Sequence, residues 1–239
     1  MTTSGTAGFN LDLSELVEEA FERCGKELRT GYDLRTARRS LNLLTIEWAN
    51  RGINLWTIEQ GSIPLVTGQA TYDLPVDTID LLDTVIRTGS GQNQIDINIS
   101  RISESTYSTI PNKNAQARPI QVWINRQSGA DYPTTGTNPP KIVIWPTPNA
   151  PGDQYTFVYW RLRRIQDSGG GVSTQDIPFR FLTCMVAGLA FYLSAKLPEV
   201  DPQRVLFLKS EYEQQFQLAA DEDREKAPLR FVPRSSFYY

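Results

Sequence analysis

Histidine is missing from all 239 residues, and with it the commonest general base, proton shuttle and metal ligand. Serine triads of the usual kind and zinc-protease helices are thereby excluded. Cysteine is scarce: Cys24 and Cys184 are the 2 present. They have no histidine partner and no Cys-x-x-Cys spacing, so neither thiol catalysis nor a structural zinc site is expected. Both fall on apolar sides of predicted helices and read as buried thiols rather than a disulfide.

Long apolar runs are lacking too. The longest, FLTCMVAGLAFYLSA between Arg180 and Lys196, has about 15 residues and at ~1.5 Å each falls short of a ~30 Å bilayer core. It reads as a buried central helix, and no membrane partner is expected. The opening MTTSGTAGFN has no basic segment followed by an apolar run, so no secretory leader is expected. Nor is there a surplus of positive charge. A net charge of -3 with pI ≈ 5.2 argues against a protein whose main task is gripping nucleic acid, while transient passage of DNA stays open.

What remains is a chain of ordinary globular composition with two kinds of periodicity. Leu13, Leu16, Val17, Ala20, Phe21 and Cys24 form one helical stripe, and Asp12 with Glu15 gives a capping-box start. Leu34, Ala37, Leu41, Leu44 and Trp48 form a second stripe, with Asp33 as its expected cap and Gly52 as its stop. From 53 to 166 short alternating or apolar runs, with a turn at GSGQN, predict a six- to eight-stranded antiparallel insertion. DSGGGVSTQ at 167–175 reads as a Gly/Ser linker. Helical periodicity then returns. Asp176 and Pro178 open a third helix with Phe181, Met185, Leu189 and Leu193, and Asp201 and Pro202 open a fourth with Val205, Leu208, Tyr212, Phe216 and Ala219.

The expected fold class is α+β: a four-helix bundle made of two helical hairpins (11–52 and 176–222), with an inserted antiparallel β domain (53–166). A flexible N-terminus (1–10) and an extended C-terminal arm (223–239) complete it.

Three groups of residues could carry chemistry. Asp73, Asp77, Asp80 and Asp83 could supply a carboxylate pair, against the plainer reading that they cap turns and solvate a strand face. Arg161, Arg163 and Arg164 close an apolar strand; alternation puts the first two on one face, and a solvated strand end competes with a partner carboxylate or a passing phosphate. Arg35, Arg38 and Arg39 share one helix surface, where glutamates of the first or fourth helix are the expected partners, within a subunit or across a boundary. The 5 tryptophans read as core packing in preference to a stacking platform. No catalytic, cofactor-binding or metal-binding residue is assigned.

The chain ends APLRFVPRSSFYY, with Arg230, Phe231, Arg234, Phe237, Tyr238 and Tyr239 and no acidic side chain. Pro228 and Pro233 forbid a continuous helix. Burying the four aromatics would contribute roughly 15–25 kcal/mol, and ordering about 13 residues costs roughly 13–26 kcal/mol. The balance is near zero alone and favourable once a partner supplies pockets.

TARRSLNLLTIEWANRGINLWTIEQGSIPL, at 36–65, has an Ala-Arg-Arg-x-Leu-Asn helix start (Ala37, Arg38, Arg39, Leu41, Asn42). An Arg-Gly-x-x-x-Trp entry into the sheet follows (Arg51, Gly52, Trp56), and GQATYDLP at 68–75 adds a short strand and turn. With these motifs and the order helices, β insertion, helices, tail, the chain resembles the head-to-tail adaptors of tailed bacteriophages, especially the tail-tube adaptors of short-tailed phages. The resemblance implies a ring, typically of twelve subunits, between the portal protein and a tail tube or nozzle protein. DNA would pass through the centre and the C-terminal arms would reach the portal. The alternative weighed beside it is a virion carbohydrate- or receptor-binding β module, with aromatic platforms on the loops at 126–140.

Overall fold

The computed structural model describes residues 4–28, 31–53, 55–125, 139–149 and 155–224. Among these are five α-helices: α1 (Leu13–Arg23), α2 (Gly31–Asn50), α3 (Glu104–Ser108), α4 (Leu182–Ser194) and α5 (Pro202–Glu222). The eight strands are β1 (Ile58–Pro64), β2 (Thr71–Asp73), β3 (Thr78–Thr88), β4 (Ile95–Asn98), β5 (Ser100–Ile102), β6 (Gln121–Asn125), β7 (Lys141–Trp145) and β8 (Thr156–Arg163). The chain divides into two units, Met1–Leu55 with Asp167–Tyr239, and Trp56–Gln166.

In the first unit the local sequence sets the helix ends. The Asp12 carboxylate accepts from the Glu15 amide at 2.9 Å and Glu15 accepts from the Asp12 amide at 3.1 Å, closing the capping box of α1. Helix α2 starts at Gly31, so Asp33 lies in its first turn and does not cap it. At its other end Gly52 takes φ +82°, a left-handed conformation, and the Ile53 amide reaches back to the Trp48 carbonyl at 3.2 Å. Helix α4 is entered through Pro178 and a 3-10 turn at Phe179–Phe181, later than the expected start at Asp176. Asp201 and Pro202 do open α5, with the Asp201 carboxylate accepting from the Gln203 amide at 3.2 Å.

The expected four-helix bundle with a single inserted antiparallel β domain is not the fold adopted. Helix α4 buries Leu182, Cys184, Met185, Val186, Ala187, Leu189, Ala190 and Leu193 around its whole circumference. A helix apolar on every side has to be enclosed. Accordingly α1, α2 and α5 each lay one amphipathic face on α4, while α1 and α2 barely touch each other as a hairpin. Gly188 makes this possible: a Cβ there would stand 2.9 Å from Leu44 of α2 and 2.9 Å from Tyr212 of α5.

A polar network ties α2, α4 and α5 together. Trp48 Nε1 donates to Tyr212 Oη at 3.0 Å. Tyr212 Oη and Tyr192 Oη donate to the two oxygens of Glu47 at 3.2 and 2.5 Å. Arg51 then bridges Glu47 at 2.5 Å to Glu213 at 2.8 Å, and its guanidinium lies 4.3 Å from the centre of the Phe216 ring. Burial, and then the neighbouring Glu47, push the Tyr192 hydroxyl up to about 12, so it remains a neutral donor.

The second unit holds two four-stranded sheets, ordered β1-β8-β3-β4 and β2-β7-β6-β5. Leu81 and Ile86 of β3 and Phe157 and Tyr159 of β8 meet Tyr72, Val122, Ile124, Ile142 and Ile144 of the other sheet in one shared core. Period two is visible in β6, where Val122 and Ile124 turn inward. Trp123, on the opposite face, stacks on Tyr107 of α3 with ring centres 5.3 Å apart. The insertion is not purely antiparallel, because β5 and β6 pair in parallel. A parallel pair needs a crossover, and the segment containing α3 supplies it.

Two substitutions test the enclosure of α4. Gly188→Val should lower the stability of the helical unit by about 1–3 kcal/mol through overpacking. Tyr212→Phe should cost about 1–3 kcal/mol by leaving the buried Trp48 N–H without an acceptor. Both are read as shifts in the urea unfolding midpoint; midpoints equal to that of the unchanged chain would contradict this packing.

Candidate functional site

Of the predicted arm, Arg230, Phe231, Arg234, Phe237, Tyr238 and Tyr239 lie outside the described residues. The helix that leads to it is anchored. Asp223 ends α5, its side chain is 2% exposed, and its carboxylate accepts from Arg180 Nη2 at 2.5 Å. The last described turn of α5 is thus fixed to the turn that begins α4. Sequence reading did not find this pair, since Arg180 and Asp223 stand far apart in the chain and match no local spacing rule.

Arg35, Arg38 and Arg39 project from the outer face of α2 and are all exposed. With Tyr32 and Asn42 they line a depression of ≈ 540 Å³. Arg38 Nε donates to the Ser168 carbonyl at 2.8 Å and Asn42 accepts from the Ser168 amide at 2.9 Å, tying the 167–175 segment to α2. Among the described residues Arg39 reaches only Thr36, at 3.5 Å. The glutamate partners expected within the subunit are not there: among the described residues none of the three arginines forms an ion pair. The physical reason is that the α1 glutamates line a different groove, with Leu182 and Val186 of α4. Tyr32 (65% exposed), Leu43 (53%) and Ile46 (47%) continue the outward face of α2, as Leu206, Phe207 and Leu218 do on α5. Isolated apolar residues on a surface are ordinary; rows of them beside arginines mark contact surfaces.

The strand-end arginines are placed differently. Arg161 is 9% exposed and binds Asp77 at 2.5 Å, Glu59 at 2.8 Å and the Thr78 hydroxyl at 3.0 Å. Arg163 meets the other Glu59 oxygen at 2.7 Å. These two share one face, as alternation requires, and join β8 to β1 and to the start of β3. The Arg164 amide donates to the Asp77 carbonyl at 2.8 Å. Asp80 accepts from Arg101 at 2.9 Å, and Asp73 lies 3.6 Å from Lys141. Among the four aspartates of 73–83, three therefore serve as cross-strand ion-pair partners. The aromatic loop considered for ligand binding falls mostly on 126–138, outside the described residues. Of the tryptophans, Trp48 is fully buried, while Trp123 and Trp145 are half-buried, with Trp145 Nε1 donating to the Asn112 carbonyl at 3.0 Å.

The described residues contain no group of histidine, cysteine or carboxylate side chains arranged to hold a metal ion, and no helix long and apolar enough to cross a membrane. Cys24 and Cys184 are free and buried, and burial pushes their thiols up to about 11 and about 12.

What the molecule offers is contact surface on a rigid helical frame, the equipment of a structural adaptor. A family model described as SU10 adaptor protein matches residues 11–232. The chain belongs to the SU10 adaptor protein family, and is in that sense a phage adaptor. No curated protein matched it.

Two measurements check these placements. Arg161→Ala should destabilise the β unit by about 1–3 kcal/mol by stranding Asp77 and Glu59 at a partly solvated site, whereas Arg35→Ala should stay within about 0.5 kcal/mol; equal effects would contradict the assignment. Because raised thiols stay protonated at mildly alkaline pH, Cys24 and Cys184 should resist alkylation in the folded chain and react on unfolding. Rapid labelling of the folded chain would count against their burial.

Proposed function

We propose that the protein is a non-enzymatic virion component that forms a ring, of twelve subunits as in the adaptors it resembles, at the junction of head and tail. It joins the portal protein to a tail tube or nozzle protein, DNA passes through its centre, and assembly takes place in the host cytoplasm. The observation that carries this reading is the family match over residues 11–232. The outward apolar residues of α2 and α5 support it, because subunits packed side by side would cover them. The helical unit is the ring-forming part.

The C-terminal arm is the portal attachment, through Arg230, Phe231, Arg234, Phe237, Tyr238 and Tyr239. One arm alone is near energetic balance; several copies in a ring turn modest affinity into firm attachment. The clamp of Asp223 by Arg180 sets where each arm departs. Arg35, Arg38 and Arg39 lie between subunits or toward the channel, and the net charge of -3 on the chain as a whole suits a passage that must not retain DNA.

A chain lacking 227–239 should fold with unchanged circular dichroism yet fail to co-sediment with portal rings, and Phe231→Ala with Phe237→Ala should weaken binding more than alanine at Ser235 and Ser236. Portal binding by the truncated chain would remove the arm assignment. Electron microscopy of the portal with the full chain reads the ring itself, and a single unclosed copy there would sink it.

A further inference from the structure

Helix α1 carries an acidic stripe of its own. Glu15, Glu18 and Glu22 recur at helical spacing along one side and are exposed. They line a groove of ≈ 450 Å³ whose floor is Leu182 and Val186 and whose rim includes Phe9, 76% exposed. Glu19 also lines it but is held by Arg23 at 3.0 Å, and Arg23 is held in turn by Glu211 at 2.9 Å. The charged lining is therefore net negative, and among the described residues Glu18 and Glu22 have no ion-pair partner.

Helix α2 has the opposite character on its outer face. Tyr32, Arg35, Arg39, Leu43 and Ile46 fall on one row, with Arg38 and Asn42 on the next, and the depression between the rows is lined by three arginines and no acid. Row and groove match in kind: apolar side chains flank positive charge on one and negative charge on the other. The row from 32 to 46 runs about 21 Å, and the acidic stripe from 15 to 22 about 10 Å, so one helix face can span the other. The two faces belong to one rigid helical unit yet do not meet within it.

We propose that the acidic groove along α1 of one subunit receives the arginine face of α2 from the next copy of this chain, joining neighbours head to tail. This rests on the ring reading given above and specifies which surfaces make the ring. A contact between two different faces of the same chain is heterologous, and it closes into a ring when the rotation per subunit divides a full turn. Charge complementarity selects the second copy as the occupant. DNA could use only the basic half of the pair, and the glutamates of the same unit would repel it.

Charge reversal tests the pairing, with Glu15 left intact because it closes the α1 capping box. One variant carries Glu18→Arg and Glu22→Arg, a second carries Arg35→Glu and Arg39→Glu, and a third carries all four. Circular dichroism establishes that each is folded, and sedimentation at low salt reads association, alone and with portal. Each double variant should self-associate at least about tenfold more weakly than the unchanged chain. Their equimolar mixture should regain assemblies containing both, because every groove then meets a face of opposite charge. The fourfold variant should assemble alone. Normal assembly by either double variant, or none by the mixture and the fourfold variant, would overturn the pairing while leaving the ring intact. An arginine-reversed variant that assembles normally but no longer binds duplex DNA would assign that face to DNA instead. If the unchanged chain forms no ring even with portal, the ring reading falls and the pairing with it.

Discussion

Helix α4 carries buried side chains around nearly its whole circumference, and the helical unit is built around that fact. Each buried aliphatic side chain contributes about 1.5–3 kcal/mol when removed from solvent, so a helix apolar all round strongly favours any arrangement that covers it completely. Three partner helices do so, and Gly188 lets α2 and α5 approach to where a methyl group would collide with Leu44 and Tyr212. Polar groups drawn in beside them find partners: Trp48, Tyr212, Tyr192, Glu47, Arg51 and Glu213 form one chain of donors and acceptors linking α2, α4 and α5.

That enclosure has a consequence at the surface. Helices α1, α2 and α5 spend one face each on α4 and turn the opposite face outward. On α1 the outward face is acidic, and on α2 it mixes arginine with Tyr32, Leu43 and Ile46. An adaptor needs rigid surfaces of defined chemistry more than it needs a cavity, and a saturated central helix is an economical way to hold several of them. Family membership and surface chemistry thus point the same way, although they are independent observations.

The β unit is stabilised on a different plan. Two sheets share an apolar core, and the end of β8 is fastened by arginines that grip carboxylates on β1 and beside β3. Arg161 is buried among carboxylates that are themselves partly solvated, so the desolvation cost is offset within the strand cluster. Such a clamp fixes strand ends without using the outer faces.

Local features were legible from the chain alone. The capping box at Asp12 and Glu15, the left-handed stop at Gly52, the start of α5 at Asp201 and Pro202, and the central character of the run from 181 to 195 each depend on residues within one or two turns of each other. Absences were equally informative, since a chain without histidine cannot do histidine chemistry whatever its fold. Tertiary structure decided the rest. Nothing in the spacing of the helical stripes states that α1 and α2 use α4 rather than each other, that β5 and β6 run parallel around α3, or that Arg161 faces Asp77 and Glu59 while Arg35 and Arg39 face outward. Periodicity tells which side of an element is apolar, but which neighbour covers it depends on contacts between residues well separated in the chain, where shape and volume choose among partners that the sequence pattern treats alike.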